Sequence, residues 1–394
     1  MIKTILLSLS LLVAGVSYCH ADGYRITGKI TGGGEGVKVY LTDLSQYRQV
    51  YDSAVIQNGE FRFEGRVETP GIRCITINKD PEASNQWAVT VKLPLFVENS
   101  DIVITAPYDS LPVKLDNVVR PSVRITGSPS HDLYAAYDKG MEPLSVANSE
   151  LFDTYRKAYY YARKDQFGRR ILEPAFEALE KLEKCKDDIY RYKLDFIKKH
   201  PESPVAFYVA GTVSLTKYGR QEIDKFVALW PESWKNSAEG KSLIGRLNKI
   251  PVYTGDPYIN IELLNTEGET VKLSDMIRPG KYTLLELWAS WCGPCRGEIP
   301  HLKNSYAAFC DKGFDIVSVS IDADKDKWRK AIKQENMPWM QLCDLGKDFE
   351  AFIVKTYGVS GVPSSFLIDP QGKIILLNAR GGWLDAKLKE LLGE

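Results

Sequence analysis

The stretch Leu284-Leu285-Glu286-Leu287-Trp288-Ala289-Ser290-Trp291-Cys292-Gly293-Pro294-Cys295-Arg296-Gly297-Glu298-Ile299-Pro300 decides the reading of this chain. Its first half is an apolar run interrupted by one acid, Glu286, and has the length and composition of a buried strand. Gly293-Pro294 fits a turn into a helix, because proline in the first turn lacks only an N–H that would have no intrahelical partner. Cys292 then sits at a helix N-terminus, where partial positive charge favours thiolate over thiol. Cys295, three residues on, falls on the same helix face and within reach of a disulfide. A dithiol that exchanges with a foreign disulfide needs one exposed, acidic sulfur and a second close enough to release the first.

Two other readings compete for the same pair. A zinc site wants two more ligands, but the four histidines are not paired at ligand spacing and there is no second CxxC. A structural disulfide rarely spans only two residues at a helix start. The redox reading is preferred, with no metal ligands and no cofactor beyond the Cys292/Cys295 pair itself.

Working outward, 394 residues predict two or three domains. Lys plus Arg and Asp plus Glu number 51 each and no basic run stands out, which argues against a nucleic-acid partner. Lys3 followed by the apolar Ile5 to Val16 reads as a signal peptide over residues 1–21, too short to span a bilayer. Cleavage after Ala21 would export the mature protein to the periplasm or cell envelope. The competing reading is a lipid anchor at Cys19, against which stands Tyr18, where such signals carry a small residue. Cys74, Cys185, Cys310 and Cys343 read as small buried apolar residues, with a Cys310–Cys343 bridge left open. In an oxidising compartment, a dithiol that stays reduced needs an electron donor.

Residues 22–128 read as an all-β, sandwich-like domain of many short strands. Asn58-Gly59, between Val55-Ile56 and Phe61-Phe63, predicts a hairpin. Residues 129–250 read as an all-α region, with Tyr155, Tyr159, Ala162 and Phe167 at near-helical spacing. His200-Pro201 and Trp230-Pro231 break it into separate helices. Tyr159-Tyr160-Tyr161 is either a ligand platform or aromatic packing, and packing is preferred. His131 and His200 read as structural. Residues 251–394 alternate strands with helices and end in an antiparallel hairpin, Ser365–Ile368 with Ile374–Asn378, which predicts an α/β domain with a mixed sheet flanked by helices.

From about Tyr258 to Leu392 the chain resembles the TlpA/ResA-like branch of exported thiol–disulfide oxidoreductases, which have the thioredoxin fold. The resemblance is carried by Leu273-Ser274-Asp275, Glu286 to Cys295, Glu298, Pro300, Gly358-Val359, Gly361-Val362-Pro363, Phe366 to Asp369 and Gly372-Lys373. More weakly, the first two thirds resemble the β-then-helical region of unknown role that precedes such domains in some bacterial envelope proteins. The resemblance implies a cis Pro363 facing the dithiol, and a Val362 backbone that binds an extended substrate as an added strand. It implies that Glu286 lies buried beneath Cys295, where desolvation raises its pKa so that it accepts a proton near neutral pH. The alternative is an acid pointing to solvent. Trp291 is implied to line the docking surface. Glu298 is read either as an acid that tunes the thiols or as an ordinary first-turn glutamate.

The function expected is reduction of disulfides in envelope proteins, with a membrane electron donor recycling the pair. Gly-Pro between the cysteines matches reducing thioredoxins, whose potential is about −270 mV. One alternative is a peroxiredoxin-like thiol peroxidase, but Ala289 and Leu285 stand where that chemistry wants Thr or Ser and Pro. Another is a binding or scaffold protein whose redox domain is accessory.

Overall fold

Strands β1 (Tyr24–Thr31), β2 (Lys38–Thr42), β3 (Val50–Val55), β4 (Glu60–Gly65) and β5 (Gly71–Asn78) are followed by a short helix, α1 (Gln86–Val89). Then come β6 (Thr90–Val97), β7 (Asp101–Pro107) and β8 (Arg124–Thr126). Period-two alternation builds them: Phe61 and Phe63 of β4 and Ile102 and Ile104 of β7 point inward while their neighbours face solvent. They form two four-stranded sheets, β4-β1-β7-β8 and β3-β2-β5-β6, with β1 and β7 parallel. The inner faces of both contribute to one apolar cluster, including Ile26, Phe63 and Ile104 from the first and Val39, Ile75 and Leu95 from the second. This computed structural model describes residues 23–44, 49–113, 121–162, 171–215, 218–344 and 351–393. The segment read as a signal peptide, with Cys19, lies outside the described residues, as does Phe167.

The hairpin expected at Asn58-Gly59 forms only at its tip. Both residues have positive φ, 50° and 73°, and Gln57 pairs with Glu60 across the turn. Beyond that pair the strands part. β3 joins β2, and β4 joins β1 in the other sheet. The turn is local chemistry, whereas the choice of partner strand is made by which sheet buries each apolar face.

The helices are α2 (Pro129–Tyr160), α3 (Glu173–Lys199), α4 (Pro204–Gly211), α5 (Gly219–Ala228), α6 (Glu232–Asn236) and α7 (Ala238–Asn248). Two of the breaks, between α3 and α4 and between α5 and α6, fall at the predicted proline-bearing stretches. Then follow β9 (Glu262–Leu264), β10 (Thr270–Lys272), α8 (Leu273–Met276), β11 (Tyr282–Trp288), α9 (Gly293–Phe309), β12 (Phe314–Ser320) and α10 (Lys325–Glu335). The chain closes with β13 (Met340–Cys343), α11 (Phe352–Tyr357), β14 (Ser364–Ile368), β15 (Ile374–Leu377) and α12 (Gly381–Leu392). These seven strands form one mixed sheet in the order β10-β9-β13-β12-β11-β14-β15. β11 lies in its interior, between β12, to which it is parallel, and β14, to which it is antiparallel. Six of its seven residues are buried, as a strand covered on both faces must be. Ile299 and Leu302 of α9, Trp328 of α10 and Leu384 and Leu388 of α12 complete the core around this sheet. The mixed sheet with helices on it, and the cysteine pair opening α9, give this region the thioredoxin fold.

Contacts divide the chain differently from the expected boundaries after residues 128 and 250. One compact unit runs to Glu142 and includes Ser203–Tyr208; the other holds Pro143–Glu202 and Val209 onward. α2 is therefore shared, and most helical residues group with the mixed sheet. Apolar burial explains this: Tyr155, Tyr159, Ala175, Leu179 and Leu182 form a cluster against which Trp383 of α12 packs. Tyr159 is buried, whereas Tyr160 and Tyr161 are 68% and 80% exposed, so the three tyrosines do not form one platform. Cys74, Cys185 and Cys343 are buried free thiols; Cys310 is also free but only half-buried, and it makes no bridge to Cys343.

Candidate active site

The apolar run of β11 ends at the edge of the sheet, and the next residues are held from β12. Asp322, just past β12, accepts hydrogen bonds from the Ser290 N–H at 2.8 Å and the Ser290 hydroxyl at 2.6 Å. Ser320 donates to the same carboxylate at 2.5 Å. The loop so fixed delivers Cys292 to the N-cap of α9, with Pro294 in the first turn. The Cys295 N–H donates to the Cys292 sulfur at 3.2 Å, so the nearer sulfur occupies the place of a capping oxygen. Cys292 and Cys295 are joined as a disulfide, with S–S 2.05 Å and Cα–Cα 5.3 Å.

Opposite the pair, the Val362–Pro363 peptide is cis, and the Val362 carbonyl oxygen lies 3.7 Å from the Cys292 sulfur. The expectation of an openly exposed Cys292 is corrected here. In the disulfide it keeps only 4% of its surface, and Cys295 keeps none, because the helix start and the Val362 loop close over them. What faces solvent is the rim: Trp291 is 50% exposed, Gly293 and Pro294 are exposed, and Gly361 and Val362 are half-buried.

Glu286 is buried in the middle of β11, not turned to solvent. Its Oε2 accepts a 2.5 Å hydrogen bond from Ser318 of β12, whose oxygen in turn accepts from the Trp339 indole N–H at 2.7 Å. Its Oε1 has no hydrogen-bond partner among the described residues. Burial pushes the Glu286 carboxyl up to about 7, against the opposing pull of the Ser318 hydrogen bond. The charges of Glu298 and Arg380 also act on it, in opposite directions.

Glu298, one turn beyond Cys295 on α9, is not the first-turn glutamate of the alternative reading: α9 starts at Gly293 and its first turn carries no acid. It accepts from the Gly381 N–H at 2.9 Å and meets His301 Nδ1 at 3.2 Å, and Arg380 lies 3.6 Å from its other oxygen. Burial would raise its pKa, but the His301 and Gly381 hydrogen bonds and the nearby positive charges outweigh burial and hold it at about 2. For His301 burial disfavours the charge, yet its hydrogen bonds to Asp385 and Glu298 lift it to about 9. Ser318, Trp339, Asp322 and His301 were not singled out by the sequence reading. The signal for the first and third was present: serines at 318 and 320 and an aspartate at 322 interrupt or end an apolar strand that has no solvent face. Among the described residues, no group of three His, Cys, Asp or Glu could hold a metal ion.

A cysteine pair capping a helix, a cis-proline loop against it and a buried carboxyl in the interior strand that leads to the pair define a thioredoxin-fold dithiol centre. The AhpC/TSA family model matches residues 254–376, and a domain of unknown function (DUF4369) matches residues 24–134. Thiol-disulfide oxidoreductase ResA of Bacillus thuringiensis subsp. konkukian is 34% identical over 116 residues, 29% of this chain and 64% of that protein. ResA of Bacillus subtilis is 31% identical over 127 residues, 32% of this chain and 68% of that protein. Among solved structures, the thioredoxin domain of a thiol-disulfide oxidoreductase from Bacteroides vulgatus is 35% identical, covering 36% of this chain and 99% of that one with a TM-score of 0.33. A thiol-disulfide oxidoreductase from Bacteroides fragilis is 33% identical over 35% of this chain and all of that one, TM-score 0.33. The chain belongs, through its C-terminal third, to the ResA/TlpA-like thiol-disulfide oxidoreductases. It spans 64% of the length of the first of the curated relatives it matches.

Proposed function

We propose that this protein is an exported thiol–disulfide oxidoreductase that reduces disulfides in envelope proteins through Cys292 and Cys295. The observation that carries the reading is the pair at the N-terminus of α9, with the Val362 carbonyl against Cys292 and the Glu286 carboxyl, pushed up to about 7 by burial, in the adjoining strand. In the reduced enzyme the Cys292 thiolate attacks one sulfur of the partner's disulfide. That bond breaks, the partner leaves one thiolate, and a Cys292–partner disulfide forms. Cys295 gives its proton towards Glu286 and attacks the Cys292 sulfur. The second partner sulfur leaves and takes up a proton, so the partner gains two electrons and the enzyme ends as the Cys292–Cys295 disulfide. A membrane electron donor returns it to the dithiol.

The narrow exposure of Cys292 supports a partner that approaches as an extended segment along Gly361-Val362, with Trp291 beside it. Export rests on the apolar segment after Lys3, with cleavage after Ala21 or lipid attachment at Cys19 told apart by the mass of the mature N-terminus. The decisive experiment is a Cys295→Ser trap, which should hold partners on Cys292 as mixed disulfides in an envelope extract. Failure of the trap, together with failure of the wild-type dithiol to reduce any protein disulfide, would refute the reading. Rapid peroxide consumption by the reduced protein would move it to the peroxidase class. A Cys292→Ser protein that keeps its cellular role would move it to the scaffold class.

A further inference from the structure

The C-terminal turns of α2 reach the redox domain at one place, where five polar side chains converge. His301 of α9 is held on both ring nitrogens, with Glu298 at 3.2 Å on Nδ1 and Asp385 of α12 at 2.8 Å on Nε2. Ser305 donates to the same Asp385 oxygen at 3.0 Å. The other Asp385 oxygen accepts from the Tyr159 hydroxyl of α2 at 3.2 Å. Beside it the Gly382 N–H donates to the Tyr155 hydroxyl at 3.1 Å, and the Tyr155 ring packs edge-on to Trp383 at 4.6 Å. Tyr155 and Tyr159 are buried, and only about an eighth to a sixth of the side-chain surface of His301, Glu298 and Asp385 is exposed.

We propose that His301 is a positioning residue of the dithiol centre, balancing the Glu298 carboxylate one turn beyond Cys295, and that Tyr159 makes this clamp depend on the packing of α2 against the redox domain. The proposal rests on the dithiol reading above. The groups facing His301 are Glu298 on its own helix, Asp385 on α12 and Tyr159 on α2; Arg380, at the start of α12, reaches Glu298. With His301 charged, the two acids and two cations sum to zero. With a neutral residue at 301, one negative charge is left uncompensated. Glu298 is three residues from Cys295 and so its neighbour on the helix, while Cys292 lies six residues away at the N-cap; the charge acts on Cys295 directly and on the Cys292 thiolate at longer range, disfavouring both. Glu286, which already feels Glu298, would be pushed further up. The helical region thereby braces the charge that sets the acidity of the cysteines.

The test is the thiolate titration of Cys292 in the reduced full-length protein, read by absorbance at 240 nm and by the pH dependence of alkylation. His301→Gln should raise the Cys292 pKa by roughly half to one pH unit. Tyr159→Phe should raise it by a few tenths, in the same direction. A Cys292 pKa unmoved in both variants, with only melting temperature lowered, would overturn the proposal and leave the cluster a structural rivet. A shift in His301→Gln alone would overturn the part given to α2. Should His301→Gln fail to fold, Tyr159→Phe decides by the same titration. Alkylation needs no substrate, so the result stands whether or not the wild-type protein reduces disulfides, and the two readings fail separately.

Discussion

Glu286→Gln should make the protein more stable as pH rises, relative to wild type. Folded Glu286 is buried, with one oxygen bonded to Ser318 and the other without a hydrogen-bond partner among the described residues. Its carboxyl titrates at about 7 in the fold against 4.5 for an ordinary glutamate. Between those two values the unfolded chain has lost the proton and the folded chain keeps it. The folded state binds more protons, so stability falls with rising pH across this window and levels off above it. A rise from 4.5 to about 7, at about 1.4 kcal/mol per pH unit, amounts to about 3 kcal/mol. Glutamine carries no charge and shows no such slope. Its buried amide N–H₂ costs about 1 to 3 kcal/mol at every pH, which offsets the curve without tilting it. Guanidinium unfolding of the two oxidised proteins, followed by tryptophan fluorescence from pH 4 to 8.5, gives the difference directly, and titrations common to both cancel. The variant should gain about 3 kcal/mol on wild type across that range. A flat difference would refute the reasoning, because it would mean that Glu286 is solvated. In single turnover, the same variant should resolve the mixed disulfide roughly 100-fold more slowly and lose the pH dependence near 7.

Three further outcomes follow from the same geometry. Asp322→Ala should cost about 1 to 3 kcal/mol by stranding the Ser290 N–H, and should lower the rate of disulfide reduction because the loop before Cys292 is no longer held; calorimetry and an insulin-reduction assay would check both. His301→Gln should be most destabilising near pH 5 to 6, as measured by denaturant midpoint. His301 contributes fully below 6.5 and loses its contribution as pH rises through about 9, whereas Glu298 contributes above 4.5 and loses its contribution as pH falls through about 2. Gly382→Ala should cost about 1 to 3 kcal/mol and loosen α2, since a Cβ there would meet the Tyr155 hydroxyl at 2.8 Å and the Tyr159 ring at 3.0 Å; faster amide exchange at Tyr155–Tyr160 would report it.

The redox centre was legible because its parts are local. A strand, a turn and a helix start are encoded within seventeen neighbouring residues, and Val362-Pro363 is a dipeptide. The acid in β11 stood out against an apolar run. Its partners did not, since Ser318 lies 32 residues away and Trp339 53; pairing of β12 beside β11 sets Ser318 opposite it, and pairing of β13 beside β12 brings Trp339 to Ser318. The hairpin at Asn58-Gly59 shows the same divide: φ at two residues is local, while the sheet each strand joins is settled by the whole core.

From its residue order alone the chain declares a dithiol at a helix mouth, a buried-strand acid, a leader-like apolar stretch and an α/β domain behind β and helical segments. Tertiary structure decided how far Cys292 is closed over, which unit the helices belong to, and that Glu298 is wired to His301 and Asp385. The reason is distance along the chain. Short-range chemistry is written in spacing, but Tyr159 and Asp385 are 226 residues apart, and burial of the α2, α3 and α12 apolar faces is what brings a phenol to that carboxylate.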